Sequence, residues 1–546
     1  MLKTNITSSL EKCLPTCAPQ EYPTLTAQKI IGGERFSFQL LMQYQQAPEW
    51  GYLGVNVALD TDLAFTQRQL VNVPVTLPVY AVAADENYLS LAPGLYPDLL
   101  MPSPYGTRYA LSPDVLVCVW FDIEADDVPV GTHEIPIKIT GDDGTLLAEQ
   151  TLTLTRLPYT LPSIDFRFTE WFHCDCLADY YGVKVWSDEH FRIVENFARA
   201  ARRQGMNMIL TPIHTPPLDT AIGGERTTNQ LVRITRENGE YHFHFEHLDR
   251  FIHIMDKLGF EYFELAHLFT QWGAEHAPKI VLTKDDGSEE KIFGWETDAT
   301  GEEYVAFLGA YIPALIAHLC DLGVMHRCYF HISDEPNKNN YKTYLAAKEI
   351  VRDLIAPFPI MDAASNYEFY RDGIVDIAIP ANNHIAPFLE NEVEGLWTYY
   401  CCCQTQGVAN NLIAMPAYRT RTLAYQMFKY HIVGFLQWGF NFYNTHLSIA
   451  KINPFLENAG GGWVPAGDPF VVYPAPDGTP YESIRLLIFG EVMSELRLCH
   501  LVAEKVGYDA TVRLMEKFLG TISFDRCATS SAPVLALHNA LLNVLG

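Results

Sequence analysis

The stretch Cys328-Tyr329-Phe330-His331-Ile332-Ser333-Asp334-Glu335-Pro336 begins as an apolar strand and ends on two adjacent carboxylates followed by a proline. Side chains alternate across a strand, so in mid-strand Asp334 and Glu335 would face opposite ways. Pro336 stops the ladder and lets both turn toward one end of the sheet. Adjacent carboxyl groups split their pKa values, because ionising one disfavours ionising the other, and this places an acid beside an anion. The competing reading is an N-cap, with Ser333 or Asp334 capping the next helix and Pro336 in its first turn.

Seven more strands surround this one in the chain: Phe166 to His173, Met206 to Ile213, Tyr262 to Phe269, Ile360 to Ala364, Val375 to Ile379, Leu396 to Cys402 and Gly434 to Tyr443. Helical periodicity follows most of them, at Glu189 to Arg203, Leu248 to Leu258, Tyr304 to Leu322, Tyr341 to Ile355 and Leu423 to Ile432. Eight strands alternating with helices predict an α/β fold of the (β/α)₈ TIM-barrel type, whose site lies at the C-terminal strand ends. Asp334 and Glu335, the fourth strand's terminal residues, fall there, which favours chemistry over capping.

Before this segment the pattern has period two. Phe36 to Leu40, Val55 to Leu59, Val115 to Ile123, His133 to Thr140 and Thr151 to Thr155 read as strands, with a hairpin turn at Asp143-Gly144. These predict an N-terminal β-sandwich over residues 1–162, closed by a linker at Leu157-Pro158-Tyr159-Thr160-Leu161-Pro162. The barrel is then expected over 163–506 and a helical tail over 507–546. Three long loops are candidate walls of a cleft: Leu231 to Phe245 around Asn238-Gly239, Lys279 to Trp295 around Asp286-Gly287, and the Gly-rich Ala459 to Pro480.

With 546 residues, 48% hydrophobic and 19% charged, the chain has ample material for a core. Its net charge of −27 argues against nucleic acid and against an anionic membrane surface. No signal peptide and no run of about 18 apolar residues is read, and the 12 cysteines lack a disulfide framework. A cytoplasmic protein with reduced thiols and no membrane partner is expected; whether it forms a homo-oligomer stays open. Neither Cys174-Asp175-Cys176, Cys13 with Cys17, nor Cys401-Cys402-Cys403 has zinc-finger spacing, and there is no phosphate loop or dinucleotide fingerprint. No metal and no cofactor is therefore expected.

Ordinary retaining glycosidases place two carboxyls about 5 Å apart, and many barrel members draw the second from strand seven. Here strand seven, Leu396-Trp397-Thr398-Tyr399-Tyr400-Cys401-Cys402, carries none. A missing nucleophile suits hydrolysis in which the substrate's own 2-acetamido oxygen attacks the anomeric carbon. Such a site needs one carboxylate for the amide, one acid for the leaving oxygen and an aromatic pocket. Asp334, Glu335 and the aromatic strand ends fit. The candidate substrate-binding residues are Trp171, His173, His267, Trp272, Asn366, Tyr399, Trp438, Asn441 and Tyr443, against the alternative that each is packing.

Four motifs carry a resemblance: Tyr96-Pro97-Asp98, Ser333-Asp334-Glu335-Pro336, Gly434-Phe435-Leu436-Gln437-Trp438-Gly439-Phe440-Asn441, and Val472-Tyr473-Pro474 with Ser483-Ile484-Arg485. Through them the chain, roughly from Tyr96 to Val506, resembles glycoside hydrolase family 123. The resemblance implies a β-sandwich followed by a (β/α)₈ barrel and β-N-acetylgalactosaminidase activity on a carbohydrate substrate. It also implies that Asp334 polarises the acetamido group and Glu335 is the general acid/base. Two rivals remain open: a glycosidase with a second, separate carboxylate (Asp175, Asp362 or Glu264), and a carbohydrate-binding barrel without turnover.

Overall fold

The structure, a computed structural model, describes residues 1–45 and 51–546. Two five-stranded sheets lie within the first 160 residues. One runs Leu2–Ser8, Arg35–Tyr44, Val117–Glu124, Thr66–Val75, Gly94–Met101 in spatial order, all antiparallel. The other runs Ala27–Gly32, Leu146–Thr160, Gly131–Gly141, Leu53–Leu59, Arg108–Leu111, antiparallel except for its first pair. Alternation along the strands supplies the core between them: Ile135, Ile137 and Ile139 are fully buried and join Phe38, Leu40, Val57, Phe121, Leu152 and Leu154 in one cluster. The expected linker is corrected in part. Leu157 to Thr160 continue the last strand, and Pro158 is accommodated where the register against Ala27–Gly32 shifts between Arg156 and Thr160, so its missing N–H breaks no ladder bond.

The rest of the chain is mixed α/β. All eight expected strands occur in their places, at Arg167–Glu170, Met208–Thr211, Tyr262–Leu265, Cys328–Phe330, Met361–Asp362, Ile377–Ala378, Trp397–Tyr399 and Gly434–Gln437. Each spans only two to four residues, however, and together they form three separate parallel sheets. The eighth strand lies between the first and seventh, the third lies between the second and fourth, and the fifth pairs with the sixth. Single bridges, Phe330 to Ile360 and Ala381 to Tyr399, link neighbouring sheets. The expected closed eight-stranded ladder is thus not present as such. Pro212, Pro359 and Pro380 stand at strand ends and lack the N–H that would extend pairing. Trp171, Met208, Leu210, Met361, Ile379, Trp397, Tyr399 and Leu436, all at or beside these strands, nevertheless share one buried apolar cluster.

The helices fall close to their predicted spans: Asp188–Arg203, Glu246–Leu258, Glu302–Asp321, Tyr341–Val351, Ala417–Lys429 and Ile484–Val506, followed by Tyr508–Leu519 and Ser531–Leu545. Ser187 caps the first of these and Ser483 the sixth, each accepting a backbone N–H with its side chain. Glu302–Asp321 corrects one expectation, since it is long and apolar enough to cross a membrane by length and composition. Its apolarity serves packing: Tyr304, Phe307, Leu308, Tyr311, Ile312, Leu315 and Leu319 are buried.

The sandwich is bolted to the α/β part by a buried ion pair. Arg485 donates through Nε to Asp98 at 2.8 Å and through Nη2 at 2.9 Å, and both side chains are fully shielded from solvent. The Tyr473 hydroxyl donates to the same carboxylate at 2.5 Å, and Arg485 Nη1 donates to the carbonyl of Gly467 at 2.6 Å. Two of the four sequence motifs, Tyr96-Pro97-Asp98 and Val472-Tyr473-Pro474 with Ser483-Ile484-Arg485, meet at this point although hundreds of residues separate them. Leu99 also bridges to Ser483.

Candidate active site

The fourth strand ends at Phe330, and the next helix starts at Tyr341 with Asn340 at its cap, so neither Ser333 nor Asp334 is an N-cap. Ser333 instead donates from Oγ to the carbonyl of Thr270 at 2.7 Å. Glu335 takes a left-handed backbone conformation, φ +47°, which a non-glycine residue holds only at a cost of about 1–3 kcal/mol. That twist, rather than the proline alone, turns both carboxyl groups into one cavity. Asp219 (φ +39°) and Trp272 (φ +60°), on the loops after the second and third strands, are twisted likewise and line the same cavity.

The cavity has a volume of about 150 Å³ and opens at the C-terminal ends of the parallel strands. Trp171 comes from the first strand's end, Asp334 and Glu335 from the fourth, Tyr399 from the seventh and Trp438 from beyond the eighth. The Tyr399 hydroxyl donates to Glu335 Oε1 at 2.8 Å. Among the described residues, the Asp334 side chain accepts no hydrogen bond; its backbone carbonyl accepts the N–H of Trp272 at 3.0 Å. Burial raises the Asp334 carboxyl well above the usual range, the charges of Glu335 and Asp362 add to this, and His331 opposes it. Burial also raises Glu335, against the hydrogen bond from Tyr399. Both shifts favour the protonated form, so the pair gives up its protons at higher pH than two isolated carboxyl groups would.

Beneath the pair sits a charged relay. His331 bridges Glu264 Oε1 at 2.7 Å and Asp362 Oδ1 at 2.8 Å, all three fully buried. Burial alone would lower its pKa, but the two carboxylates outweigh this and push it up to about 9. Glu264 also accepts from Trp171 Nε1 at 2.6 Å and Thr169 at 2.7 Å, and Asp362 accepts from the Tyr344 hydroxyl. With both ring nitrogens engaged, His331 has no lone pair for a metal, although it lies beside His267 and Asp362.

Six of the eleven predicted residues thus line the cavity: Asp334, Glu335, Trp171, Trp272, Tyr399 and Trp438. Five do not. His267 stacks on His331 with ring centroids 4.1 Å apart, behind Trp171. His173 supports the wall, its Nε2 at 2.9 Å from the carbonyl of Trp438 and its Nδ1 at 3.0 Å from Arg226. Asn441 binds the backbone of His173 through both amide atoms, and the Tyr443 hydroxyl donates to Val472. Asn366 flanks the short helix Tyr367–Arg371. His173, Asn441 and Tyr443 spend their polar atoms inside the wall, as buried polar groups usually do, whereas His267 Nδ1 is buried with no partner among the described residues. The three rival carboxylates are also committed elsewhere: Glu264 and Asp362 to His331, and Asp175 to Arg226 at 2.7 Å, outside the cavity.

Sequence reasoning missed Asp219, Gln271, His446, Trp463 and Asp468, all of which line the cavity. Trp463 and Asp468 lie in the Gly-rich segment already marked as a wall. The other two marked loops form hairpins, Arg233–Glu237 with Glu240–His244 and Ile280–Thr283 with Glu289–Phe293, but neither hairpin lines the cavity. Trp272 and Trp463 are 42% and 60% exposed at the mouth, a costly placement unless a ligand covers them. Trp438 Nε1 donates to Asp468 Oδ2 at 2.9 Å, while the buried Oδ1 has no partner and burial pushes the group up to about 8. The wall approaches the eighth strand closely: a Cβ on Gly439 would lie 2.4 Å from the carbonyl oxygen of Pro469.

An aromatic cavity at parallel strand ends, holding a carboxyl pair whose protonated form is favoured, has the features of a site for acid-assisted glycoside hydrolysis. The catalytic-domain model of glycoside hydrolase 123 matches residues 171–502, and the chain belongs to that family. Over its whole length the fold is similar to a family 123 glycoside hydrolase from Clostridium perfringens, whose structural study concerns glycolipid glycan hydrolysis. The TM-score is 0.72 at 15% identity, covering 100% of this chain and 98% of that one. A Parabacteroides merdae β-glucuronidase is similar at a TM-score of only 0.29, with 10% identity over 88% of this chain and 50% of that one. No curated protein sequence matches the chain.

Proposed function

We propose that this glycoside hydrolase releases a terminal β-linked 2-acetamido sugar, N-acetylgalactosamine, with retention and through an oxazolinium intermediate. The observation that carries the reading is the asymmetry of the pair: Glu335 is tethered by Tyr399, whereas the Asp334 carboxylate has no protein partner among the described residues. An acetamido N–H donating to Asp334 would draw the negative charge there and leave a proton on Glu335, beside the departing oxygen. Neither further carboxyl in the cavity suits a nucleophile's role. Asp468 is held mostly neutral near pH 7, and Asp219 is engaged by His446 and the N–H of Leu447. The two exposed tryptophans offer apolar faces to sugar rings, and the unpartnered Asp468 Oδ1 offers a site for a hydroxyl. In this reading the three parallel sheets act as one distorted (β/α)₈ barrel, supported by the cluster they share and the bridges that link them.

Turnover of an aryl 2-acetamido-β-galactoside, and none of the matched aryl galactoside, is the expected result on a panel of aryl glycosides. The product should keep its anomeric configuration, and the thiazoline of N-acetylgalactosamine should inhibit far more tightly than the free sugar. A trapped glycosyl ester on any Asp or Glu, or inversion, would overturn the mechanism.

A further inference from the structure

The loop after the seventh strand carries three cysteines in succession that the chemistry above does not use. In an extended strand their thiols would alternate in direction. Here a turn closes, with the N–H of Gln404 donating to the carbonyl of Cys401 at 3.2 Å and the N–H of Cys401 donating to Gln404 Oε1 at 2.8 Å. Asn410 Nδ2 braces the same carbonyl at 2.8 Å, and Gln404 Nε2 is anchored on Asn383 at 3.0 Å. The turn brings all three sulfur atoms within 4.8 Å of one another, with Cys402 and Cys403 3.7 Å apart. Two thiols on a tetrahedral zinc ion, each at about 2.3 Å, stand about 3.8 Å apart, so the spacing matches sulfurs arranged around a cation. Cys401 packs against the apolar cluster of the strand ends, but packing does not account for Cys402 and Cys403 beside it. Cys13, Cys118, Cys174, Cys176, Cys328 and Cys499 are buried, whereas Cys401 and Cys402 are half-buried and Cys403 is exposed.

We propose that Cys401, Cys402 and Cys403 form a binding site for one thiophilic d¹⁰ cation, Zn²⁺, at the rim of the catalytic cavity, and that its occupancy inhibits the enzyme. Three thiolates with one coordination position left to water form an open site, and soft sulfur donors select such ions over Mg²⁺ or Ca²⁺. Each thiol that coordinates loses its proton to solvent as its metal–sulfur bond forms, with no change of oxidation state. Cys401 and Cys402 line the same cavity as Glu335 and Tyr399, so a bound cation narrows the cavity and, with its three thiolates, puts a net negative charge beside the acid where three neutral thiols stood. The inhibition rests on the proposed function; the binding does not.

Full-length, fully reduced protein titrated with Cd²⁺ under inert gas should develop sulfur-to-metal charge-transfer absorption that saturates at one equivalent, and Zn²⁺ should displace it. Cys403→Ser should weaken binding at least tenfold, and Cys402→Ser should do the same. Without metal, Cys403→Ser should turn over an aryl glycoside as the parent does. Zn²⁺ should inhibit the parent reversibly, with recovery on chelation, and inhibit Cys403→Ser at least tenfold less. Absence of a charge-transfer band at one equivalent, or an identical band in both variants, would overturn the site. Stoichiometric binding with unchanged turnover would overturn the inhibition alone. If no glycoside is turned over, the Cd²⁺ titration still decides the site.

Discussion

Glu335 occupies a backbone conformation that costs energy and is tied down by one hydrogen bond from Tyr399. Such a placement is retained for what the carboxyl does in the cavity. In the proposed function it is the general acid that protonates the departing oxygen, so Glu335→Gln should lower turnover by about 10²–10⁴-fold on substrates with poor leaving groups. The loss should be far smaller on an activated aryl glycoside. Equal losses on both, measured as kcat/KM, would remove Glu335 from the role. His331 invites a test by pH. Its folded pKa, about 9, lies above the ordinary 6.5, so the stability its charge contributes is complete below about 6.5 and is lost as pH rises through about 9. His331→Gln should therefore depress the melting temperature more at pH 6 than at pH 9.5. A difference independent of pH would mean that the imidazole is uncharged between its carboxylates.

At the scale of elements, the segment after the eighth strand decides the shape of the site. It supplies Gly460, Trp463, Val464, Asp468 and Pro469 to the cavity, yet it contains little regular structure of its own. Its rigidity is borrowed. Gln437 Nε2 donates to the carbonyl of Asp468 at 3.0 Å, Arg485 donates to Gly467, and Asn458 Nδ2 donates to the carbonyl of Pro74 in the sandwich at 2.9 Å. Asp98→Ala would strand a fully buried guanidinium, a change that destabilises proteins by about 3–5 kcal/mol. The expected outcome in urea titration is a loss of that size. A loss below about 1 kcal/mol would show that Arg485 finds other partners.

For the whole molecule the consequence is interdependence. Besides the Asp98–Arg485 pair, Arg68 is buried between Asp122 of the sandwich and Glu482, which precedes the long helix Ile484–Val506, and Lys12 donates to the carbonyls of Leu412 and Ile413 at 3.0 and 3.2 Å. Cutting the chain near Pro162 leaves these charges without partners in an apolar interface. A fragment of residues 163–546 expressed alone should be insoluble or lack a cooperative unfolding transition, although it contains every residue that lines the cavity. Wild-type melting behaviour in that fragment would show that the sandwich is an accessory.

The periodicities of the chain were enough to place five of the sandwich's ten strands ahead of eight strands alternating with helices, because local hydrophobic alternation is set by which face must leave water, and that is written residue by residue. The same logic located Asp334 and Glu335, since a carboxyl pair at a strand's end stands out against apolar neighbours. Tertiary structure decided the rest. Whether His173, His267 or Asn441 faced a ligand depended on neighbours more than fifty residues away, which hydrogen-bond His173 and Asn441 into the wall and stack on His267. Whether eight strands closed into one ladder depended on how far each could pair before a proline ended it. Trp463 and Asp468 became part of the cavity through distant contacts that hold their loop, among them the buried ion pair between Asp98 and Arg485, 387 residues apart in sequence, and the bonds from Gln437 and Asn458. Spacing in the chain carries no record of such contacts, because a salt bridge depends on distance in space and burial, and both exist only once the chain has folded.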